Sequence, residues 1–300
     1  MASRRMETQT GSISTDVAAP SRPWLGMWRR LWRKGSFRVG GAIVLLLVLV
    51  AAFAPWLATH DPLTMIREDR LSPPSSEHYF GTDEFGRDIF SRLVFGARLT
   101  LRIGVISVGI SLLVGGSIGL LSGYLGGWVD LIVMRIIDVM LAFPFILLAL
   151  AIVAVLGPGL ENTMIAVGVA AVPAFARLVR SSTLVVREQV YVEAAQAVGA
   201  GHFSIMVRHI LPNVAAPLVV LATLQFPAAL LSAAALGFIG LGAQPPTPEW
   251  GAMLVAARTY LRVAPWMANI PGVAIMLTVL GFNLLGNAAR DVLDPTQRHS

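Results

Sequence analysis

The side chains that could perform chemistry are few in this 300-residue sequence. The five histidines are scattered, and none forms a metal-binding pair on a helix; they are His60, His78, His202, His209 and His299. The chain contains no cysteine. Lys34 is the only lysine, and it lacks the flanking residues of a phosphate-binding loop. The sequence therefore predicts a protein that is not an enzyme and that binds no metal ion or cofactor of its own. If the protein works against a gradient, the energy comes from a partner or from an ion.

If the protein were an ion-driven carrier, it would need ionisable or polar side chains deep in its membrane spans. Asp138 and Arg135 are three residues apart, a spacing that allows an ion pair within one helix, and we predict a structural pair. Gln225 and Asn283 either line a path for a solute or bond to neighbouring helices. With so few candidates, an ion-coupled secondary transporter is disfavoured.

The composition is that of a polytopic membrane protein. Hydrophobic residues make up 55% of the chain and charged residues 13%, and the mean hydropathy is +0.70; soluble domains carry about 25% charged residues. Apolar runs of about 20 residues, long enough to cross a bilayer, recur along the sequence. We therefore expect an all-α fold with six transmembrane helices. The first occupies residues 39–58, and the other five, within a core at 99–289, cover 99–121, 132–156, 164–178, 214–241 and 268–288.

Four prolines lie inside these predicted spans: Pro144, Pro173, Pro217 and Pro227. A proline within a helix removes a backbone donor and clashes with the preceding turn. Kinks or breaks are expected at all four positions.

The charges predict the orientation. The net charge of +6 resides wholly in residues 1–38. An amphipathic surface helix is expected there, because its apolar residues share one face; they are Trp24, Trp28, Leu31 and Trp32. A basic cluster directly before a span indicates a cytoplasmic segment near anionic lipid rather than a nucleic-acid site.

Lys and Arg are also more numerous on the side of the termini over the whole chain. The positive-inside rule places both termini, the 290–300 tail and the 179–213 loop in the cytoplasm, with 59–98 outside. A cluster of arginines near the outer end of the second span opposes this rule: Arg87, Arg92, Arg98 and Arg102. The conflict is removed if the long side chains of Arg98 and Arg102 reach the membrane interface.

The 179–213 loop is a polar segment between two apolar spans. Residues 187–197 favour a helix, Gly199 and Gly201 permit a sharp turn, and residues 202–210 can resume as a helix that Pro212 ends. The result is a helix–turn–helix in the cytoplasm. The residues alone leave two readings open, an ordinary loop or a docking site for a partner.

The amino-acid sequence of this loop resembles the EAA motif of bacterial ABC-importer permeases. The family's pattern is Glu-Ala-Ala, three residues, Gly, nine residues and then Ile-x-Leu-Pro. The matching residues at this spacing are Glu193, Ala194, Ala195, Gly199, Leu211 and Pro212. His209 stands where the general pattern has Ile. The resemblance implies a type I ABC-importer permease fold in which this loop is the coupling helix that inserts into the ATPase subunit.

Three further segments resemble the dipeptide, oligopeptide and nickel permease branch, including its glutathione members. They are residues 81–92, 240–251 and 291–295, and the last of these fits the C-type subunit. The similarity covers about residues 37–298. Without the resemblance, residues 81–88 form a charged turn in which Asp83, Arg87 and Asp88 could hold one another in place.

The resemblance implies a subunit of the bacterial inner membrane that imports peptides, with glutathione suggested by residues 172–180 and nickel chelates or opines left open. It further implies a homologous permease subunit, two ATPase subunits that use ATP and Mg²⁺, and an extracytoplasmic solute-binding protein. A purely structural membrane scaffold is the remaining alternative from another class.

Overall fold

The predicted spans are helices in the computed structural model of the chain, which describes residues 30–293. Ten helices are used below, and two of them contain an internal π turn. They are α1 (Gly35–Ala52), α2 (Ala54–Leu57), α3 (Ile89–Leu125, with the π turn Ser111–Gly115), α4 (Gly127–Ala142), α5 (Phe145–Leu156), α6 (Leu160–Arg187), α7 (Val190–Ala197), α8 (His202–Phe238, with the π turn Ile205–Ile210), α9 (Trp250–Ala257) and α10 (Trp266–Leu293).

Five of these helices are long and apolar enough to cross a membrane alone, and the bent pair α4–α5 makes a sixth span possible. Helices suit this environment because every backbone polar group in hydrocarbon needs a partner within the segment. Most of the predicted amphipathic N-terminal helix, with Trp24 and Trp28, lies outside the described residues. So does most of the 290–300 tail.

The helices extend beyond the predicted spans. The second span begins at Ile89 rather than at residue 99, because Asp88 caps the helix by accepting a hydrogen bond of 2.7 Å from the Ser91 N–H. The fourth span runs on to Arg187, so the first part of the predicted polar loop is a continuation of α6. Hydropathy marks only the apolar part of a helix, and the polar turns at its ends were therefore missed.

The third predicted span is broken. α4 and α5 meet at an angle of 98° around Phe143 and Pro144. Phe143 is extended (φ −88°, ψ 137°), as expected for a residue before proline, and Pro144 precedes the first turn of α5. The proposed break at Pro144 is therefore present.

The other prolines behave differently. Pro173 lies inside α6, and Pro217 and Pro227 lie inside α8, and both helices continue through them. Of the kinks or breaks expected at these three positions, the continuous helices exclude breaks. Packing of neighbouring helices can hold a helix together across a missing backbone donor.

The glycines of α3 allow it to approach α6 closely. Gly115 and Gly119 are four residues apart, and a Cβ atom on either would collide with the backbone of α6, at the carbonyl oxygens of Val172 and Ala176 respectively. α6 is the central helix: 67% of its most apolar window is buried, compared with 17–39% in the other four unbroken spans. Small residues suit such contacts because helices in lipid associate by close packing.

Polar contacts identify which helix ends lie together. Arg98, near the start of α3, donates to the carbonyls of Ala51 (2.5 Å) and Ala52 (3.1 Å) at the end of α1. The N–H of Gly159, before α6, donates to the carbonyl of Leu241, just after α8 (3.1 Å). These contacts define one end of the bundle, called the opposite end below.

The other end carries the turn between α7 and α8 and is called the hairpin end. Tyr124, near the end of α3, bonds to His202 at the start of α8, at 2.7 Å. Lys34 and Asp291 form an ion pair of 2.6 Å between the start of α1 and the end of α10. The two ends of the described chain therefore lie at the same end of the bundle as the predicted coupling loop.

The glycine contact between α3 and α6 generates a prediction. Gly119→Ala should lower the free energy of unfolding by about 1–3 kcal/mol, because the added methyl group forces two helix backbones apart. The unfolding temperature of the purified chain in detergent measures the effect.

Gly109 provides the matched control on the same helix, since no atom lies within 4 Å of the position its Cβ would take. Gly109→Ala should be neutral or stabilising, because alanine favours the helix by about 1 kcal/mol over glycine. Equal unfolding temperatures for the two variants would contradict the packing argument.

Candidate functional site

The predicted helix–turn–helix is present as a short hairpin that follows α6. It is formed by α7, the turn at residues 198–201 and the first part of α8, residues 202–210. Gly199 has φ +80°, a left-handed conformation that glycine adopts without strain. Its N–H donates to the carbonyl of Gln196 (2.9 Å), and the N–H of Ala200 donates to the carbonyl of Ala195 (3.0 Å). This pair of bonds is the Schellman arrangement, which explains why glycine occupies this position.

One face of the hairpin is buried against the bundle. Val192 is fully buried, and Ile205 and Ile210 at the start of α8 are 1% and 0% exposed. This inner face belongs to the same apolar core as Phe175 and Val179 of α6. The hairpin is therefore held by the transmembrane helices and is not a free loop.

The other face of the hairpin is apolar and exposed. Val190, Val198 and Phe203 are 78%, 84% and 76% exposed, and Tyr191 is 44% exposed. They lie at the hairpin end, outside the apolar parts of α6 and α8. Several large apolar side chains exposed within one short segment are typical of surfaces that interact with a protein or a membrane.

The motif residues of the hairpin occupy different environments. Glu193, Ala194 and Gly199 are exposed, whereas Ala195 is buried. Toward the membrane, His209 and Leu211 are half-buried and Pro212 is exposed; all three belong to the continuous helix α8.

The predicted stop at Pro212 is therefore wrong. Pro212 is the second residue after the π turn Ile205–Ile210 and lies in the first turn of the next α-helical segment, where a missing backbone donor is tolerated. Asn213 donates from its side chain to the carbonyl of His209 at 2.6 Å. The second arm of the hairpin and the fifth span are consequently one continuous helix.

The hairpin is attached to the end of α3 by two contacts that the sequence did not reveal. Tyr124 bonds to His202 at the start of α8. Arg187, the last residue of α6, donates to the carbonyls of Gly123 (3.2 Å) and Tyr124 (3.0 Å). The end of α3 therefore touches both helices from which the hairpin projects.

The ion pairs of α4 join it to α6. Asp130 receives two hydrogen bonds of 2.5 Å from Arg180, one on each oxygen, and a third from Ser122 of α3. The predicted pair of Arg135 and Asp138 is wrong: Asp138 pairs with Arg177 at 2.7 Å. A spacing of three residues permits a pair within α4, but the sequence alone could not show that α6 places its own arginines alongside.

Gln225 lines a small cavity within the bundle. The cavity is bounded by Ser107 and Ser111 of α3, by Phe145 at the α4–α5 break, and by residues of α6 and α8. Ser111 begins the π turn of α3, and its hydroxyl donates to the carbonyl of Ser107 at 2.8 Å. Asn283 is half-buried on α10 and is not part of this lining.

The charged turn at residues 81–88 is a buried network at the opposite end. Arg87 donates to Asp83 at 2.6 Å, and both side chains are less than 8% exposed. Arg92 lies 3.6 Å from the same carboxylate and 3.0 Å from the carbonyl of Pro62. Asp88 does not join this pair, since it caps α3 and bonds to His78 at 3.0 Å.

The two family-like segments at this end form one structure. Arg92 donates to the carbonyl of Pro246 at 3.2 Å, and Trp250 donates to the carbonyl of Leu93 at 2.9 Å. A side chain on Gly96 would collide with the Trp250 ring. Residues 81–92 and 240–251 therefore build a single surface.

Glu249 fixes the start of α9 within this surface. Its carboxylate accepts hydrogen bonds of 2.8 Å from the N–H groups of Gly251 and Ala252. Burial raises the pKa of this carboxyl, and the two hydrogen bonds oppose the increase.

The described part of the chain is a helical bundle with up to six spans, a hairpin with exposed apolar side chains at one end and a buried network of charged side chains at the other. Two family models match the sequence. The first describes binding-protein-dependent transport system inner membrane components and matches residues 115–299. The second describes the N-terminal TM domain of oligopeptide transport permease C and matches residues 22–74. The chain belongs to the family of binding-protein-dependent transport system inner membrane components, and its resemblance to the C-type subunit is confirmed.

Curated relatives match over nearly the whole length. The dipeptide transport system permease protein of Alkalihalophilus pseudofirmus is 49% identical over 92% of this chain and 91% of its own length. The glutathione transport system permease protein of Pectobacterium atrosepticum is 48% identical over 91% of both chains. The glutathione permease protein of Escherichia coli is 50% identical over 91% of this chain and 90% of its own length.

A solved structure shares the fold. A chain of the MetNI methionine ABC transporter, in inward-facing conformations, superposes with a TM-score of 0.55 over 67% of this chain and 96% of its own length, at 23% identity. The predicted all-α membrane fold of a type I ABC-importer permease is confirmed. The chain is a multi-pass membrane component of an importer, and membership of this family implies ATPase and binding-protein partners.

The Asp130–Arg180 pair generates a prediction about how α4 is held to α6. Arg180→Ala should lower the free energy of unfolding by about 1–3 kcal/mol, because Asp130 keeps its charge and loses its main donor. Arg180→Lys should recover only part of the loss, since lysine cannot form the two-pronged contact. Thermal unfolding of the purified chain in detergent tests both.

Arg177→Ala is the matched control on the same helix, because its partner Asp138 is 47% exposed. Exposed pairs contribute only about 0–1 kcal/mol. If both alanine variants were equally mild, Asp130 and Arg180 would not hold α4 to α6.

Proposed function

We propose that this chain is the C-type permease subunit of an ATP-driven importer that carries peptides, including di- and oligopeptides or glutathione, across the bacterial inner membrane. The exposed apolar hairpin carries the proposal, because it offers a partner protein a surface at the end where a membrane helix bundle meets water. The names of the relatives support the class of cargo.

In this proposal the hairpin is the part of the chain that receives energy from ATP hydrolysis. The chain has no phosphate-binding loop, so energy from ATP has to arrive through contact with ATPase subunits, which hold the ATP and Mg²⁺. Val190, Val198 and Phe203 form the apolar surface for that contact, with Glu193 and Ala194 exposed beside them. In this proposal one ATPase binds the hairpin and a second ATPase binds the hairpin of a homologous permease partner.

Movement of the hairpin can reach the middle of the bundle through two rigid helices. α6 leads directly into the hairpin at Arg187, and α8 leaves it at His202 and continues to Gln225 in the cavity. The cavity is bordered by the π turn of α3 and the break at Pro144, where the helical hydrogen-bond pattern changes. We infer that the path opens there and that Gln225 lines it, with Asn283 further along.

The orientation follows the charges. Both described chain ends and the hairpin lie at one end of the bundle, and we assign this end to the cytoplasm, as the positive-inside rule favours. The surface built from residues 81–92 and 240–251 then faces outside. Its buried ion pairs and capped helices make it a rigid platform for an extracytoplasmic solute-binding protein.

The coupling role generates the next prediction. Gly199→Pro should abolish uptake while the subunit stays in the membrane, because proline fixes φ near −65° and cannot adopt the +80° of the turn. Glu193→Lys should also abolish uptake by reversing the charge beside the apolar face. Uptake by vesicles containing the complete importer, together with stimulated ATPase activity, provides the measurement.

Gly201→Ala is the matched control, since Gly201 has φ −65° and open space around its Cβ position. It should retain uptake. Uptake and ATPase stimulation at the wild-type level in both Gly199→Pro and Glu193→Lys would refute the coupling role of the hairpin.

The class of cargo is tested on the partner solute-binding protein. A dipeptide mixture or glutathione should raise its unfolding temperature, because a ligand at 100 times its Kd stabilises a protein by about 2.7 kcal/mol. The constituent free amino acids at the same concentration are the control and should have no effect. Stabilisation by nickel chelates or opines alone would reassign the cargo and leave the coupling role intact.

A further inference from the structure

Two histidines and one carboxylate that are distant from one another in sequence meet at the opposite end of the bundle. The ring nitrogen Nδ1 of His78 lies 3.0 Å from one oxygen of Asp88, and Nδ1 of His60 lies 3.9 Å from the other. One donor atom from each of the three residues lies within 4.8 Å of the other two. Imidazole and carboxylate are ligands that zinc takes in proteins.

The carboxylate of this cluster, that of Asp88, is buried and has few cationic groups near it. The Asp88 side chain is 1% exposed, and the cationic groups found within 4.0 Å of it among the described residues are the two histidines. The neighbouring arginines are held elsewhere, Arg87 and Arg92 by Asp83. A buried carboxylate is costly unless a cation compensates its charge.

A carboxylate already lies beside the ring nitrogen of His78 that would not bind the metal. Nε2 of His78 is buried without a hydrogen bond and lies 3.5 Å from a carboxylate oxygen of Asp69. A histidine that binds a metal through one ring nitrogen usually donates the other N–H to a carboxylate. With Nδ1 turned to the ion, His78 and Asp69 would form that pair.

The distances between the three ligand atoms are close to those that a bound zinc ion requires. Zinc bonds of about 2.0–2.1 Å in a tetrahedron place the ligand atoms roughly 3.3 Å apart. His78 and Asp88 are already within this distance, and His60 is the ligand that has to move closer. Its side chain is 32% exposed and leaves a route for an ion, and Thr59 Oγ1 or water can complete the shell.

We propose that His60, His78 and Asp88 form a binding site for a divalent transition-metal ion of the zinc class. The ion would connect three segments at the opposite end of the bundle: residues 59–60 after α2, the loop around residue 78, and the cap of α3. It is a bound structural ion, separate from the cavity at Gln225. No metal site was predicted from the sequence, because the histidines are scattered along it and none forms a metal-binding pair on a helix.

The test measures Zn²⁺ binding to the full-length chain, purified in detergent with an affinity tag that lacks histidine. Calorimetric titration should show one Zn²⁺ per chain. Co²⁺ should give the visible absorption of a four-coordinate site, and Zn²⁺ should abolish it. Neither readout depends on transport, so failure of this proposal is distinguishable from failure of the proposed function.

His60→Ala is the decisive variant, because His60 is the most exposed ligand and does not cap a helix. It should eliminate the Co²⁺ absorption and weaken Zn²⁺ binding by more than about 100-fold, the upper range for loss of an outer partner. Asp69→Asn should weaken binding by about 10- to 100-fold. Glu77→Gln changes an exposed carboxylate next to His78 and should leave binding unchanged.

Two results would overturn the proposal. One is the absence of stoichiometric Zn²⁺ binding by the wild-type chain, which would make the cluster a hydrogen-bonded network only. The other is equal affinity in the wild-type chain and in His60→Ala, which would place the ion elsewhere. Unfolding temperatures of all variants without metal show that each is folded.

Discussion

The close contact between α3 and α6 fixes the positions of the other elements. Glycines on α3 bring the two backbones together, and α6 is the most buried of the unbroken spans. At the hairpin end of the same contact, Arg187 reaches the last carbonyls of α3, and Arg180 holds α4 through Asp130. The hairpin is thereby fixed to the bundle on its inner face and exposed on its outer face. A displacement imposed on that outer face would move helices rather than a flexible loop.

The arginines in and just before the first part of α3, which oppose the orientation predicted from the charges, all have partners within the protein. Arg87 and Arg92 are buried in ion pairs with Asp83, while Arg98 donates to carbonyls at the end of α1. Arg102 pairs with Glu161 at 2.9 Å. Each charge is satisfied within the protein, so the expected reach of Arg98 and Arg102 to the interface is not needed to explain them. Arg92 also joins residues 81–92 to the 240–251 segment by donating to the carbonyl of Pro246.

Much of the fold could be predicted from the sequence, because hydropathy and helix-breaking residues act locally. The apolar runs marked the spans, Pro144 marked a break, and Gly199 marked a turn that needs a positive φ. The errors share another origin. Asp138 pairs with Arg177 on another helix rather than with Arg135, and Pro212 lies within a helix that a preceding π turn makes tolerant of it. The outcome at each of these positions depends on neighbouring structure.

The sequence by itself determined the class of protein and the location of the hairpin, since composition and motif spacing are properties of the linear chain. Only the tertiary structure decided which polar groups meet. It brought Tyr124 to His202, Arg180 to Asp130, and His60 to His78 and Asp88. The physical reason is that a hydrogen bond, an ion pair or a metal shell requires atoms within a few ångströms. Helix packing sets those distances between residues that are far apart along the chain.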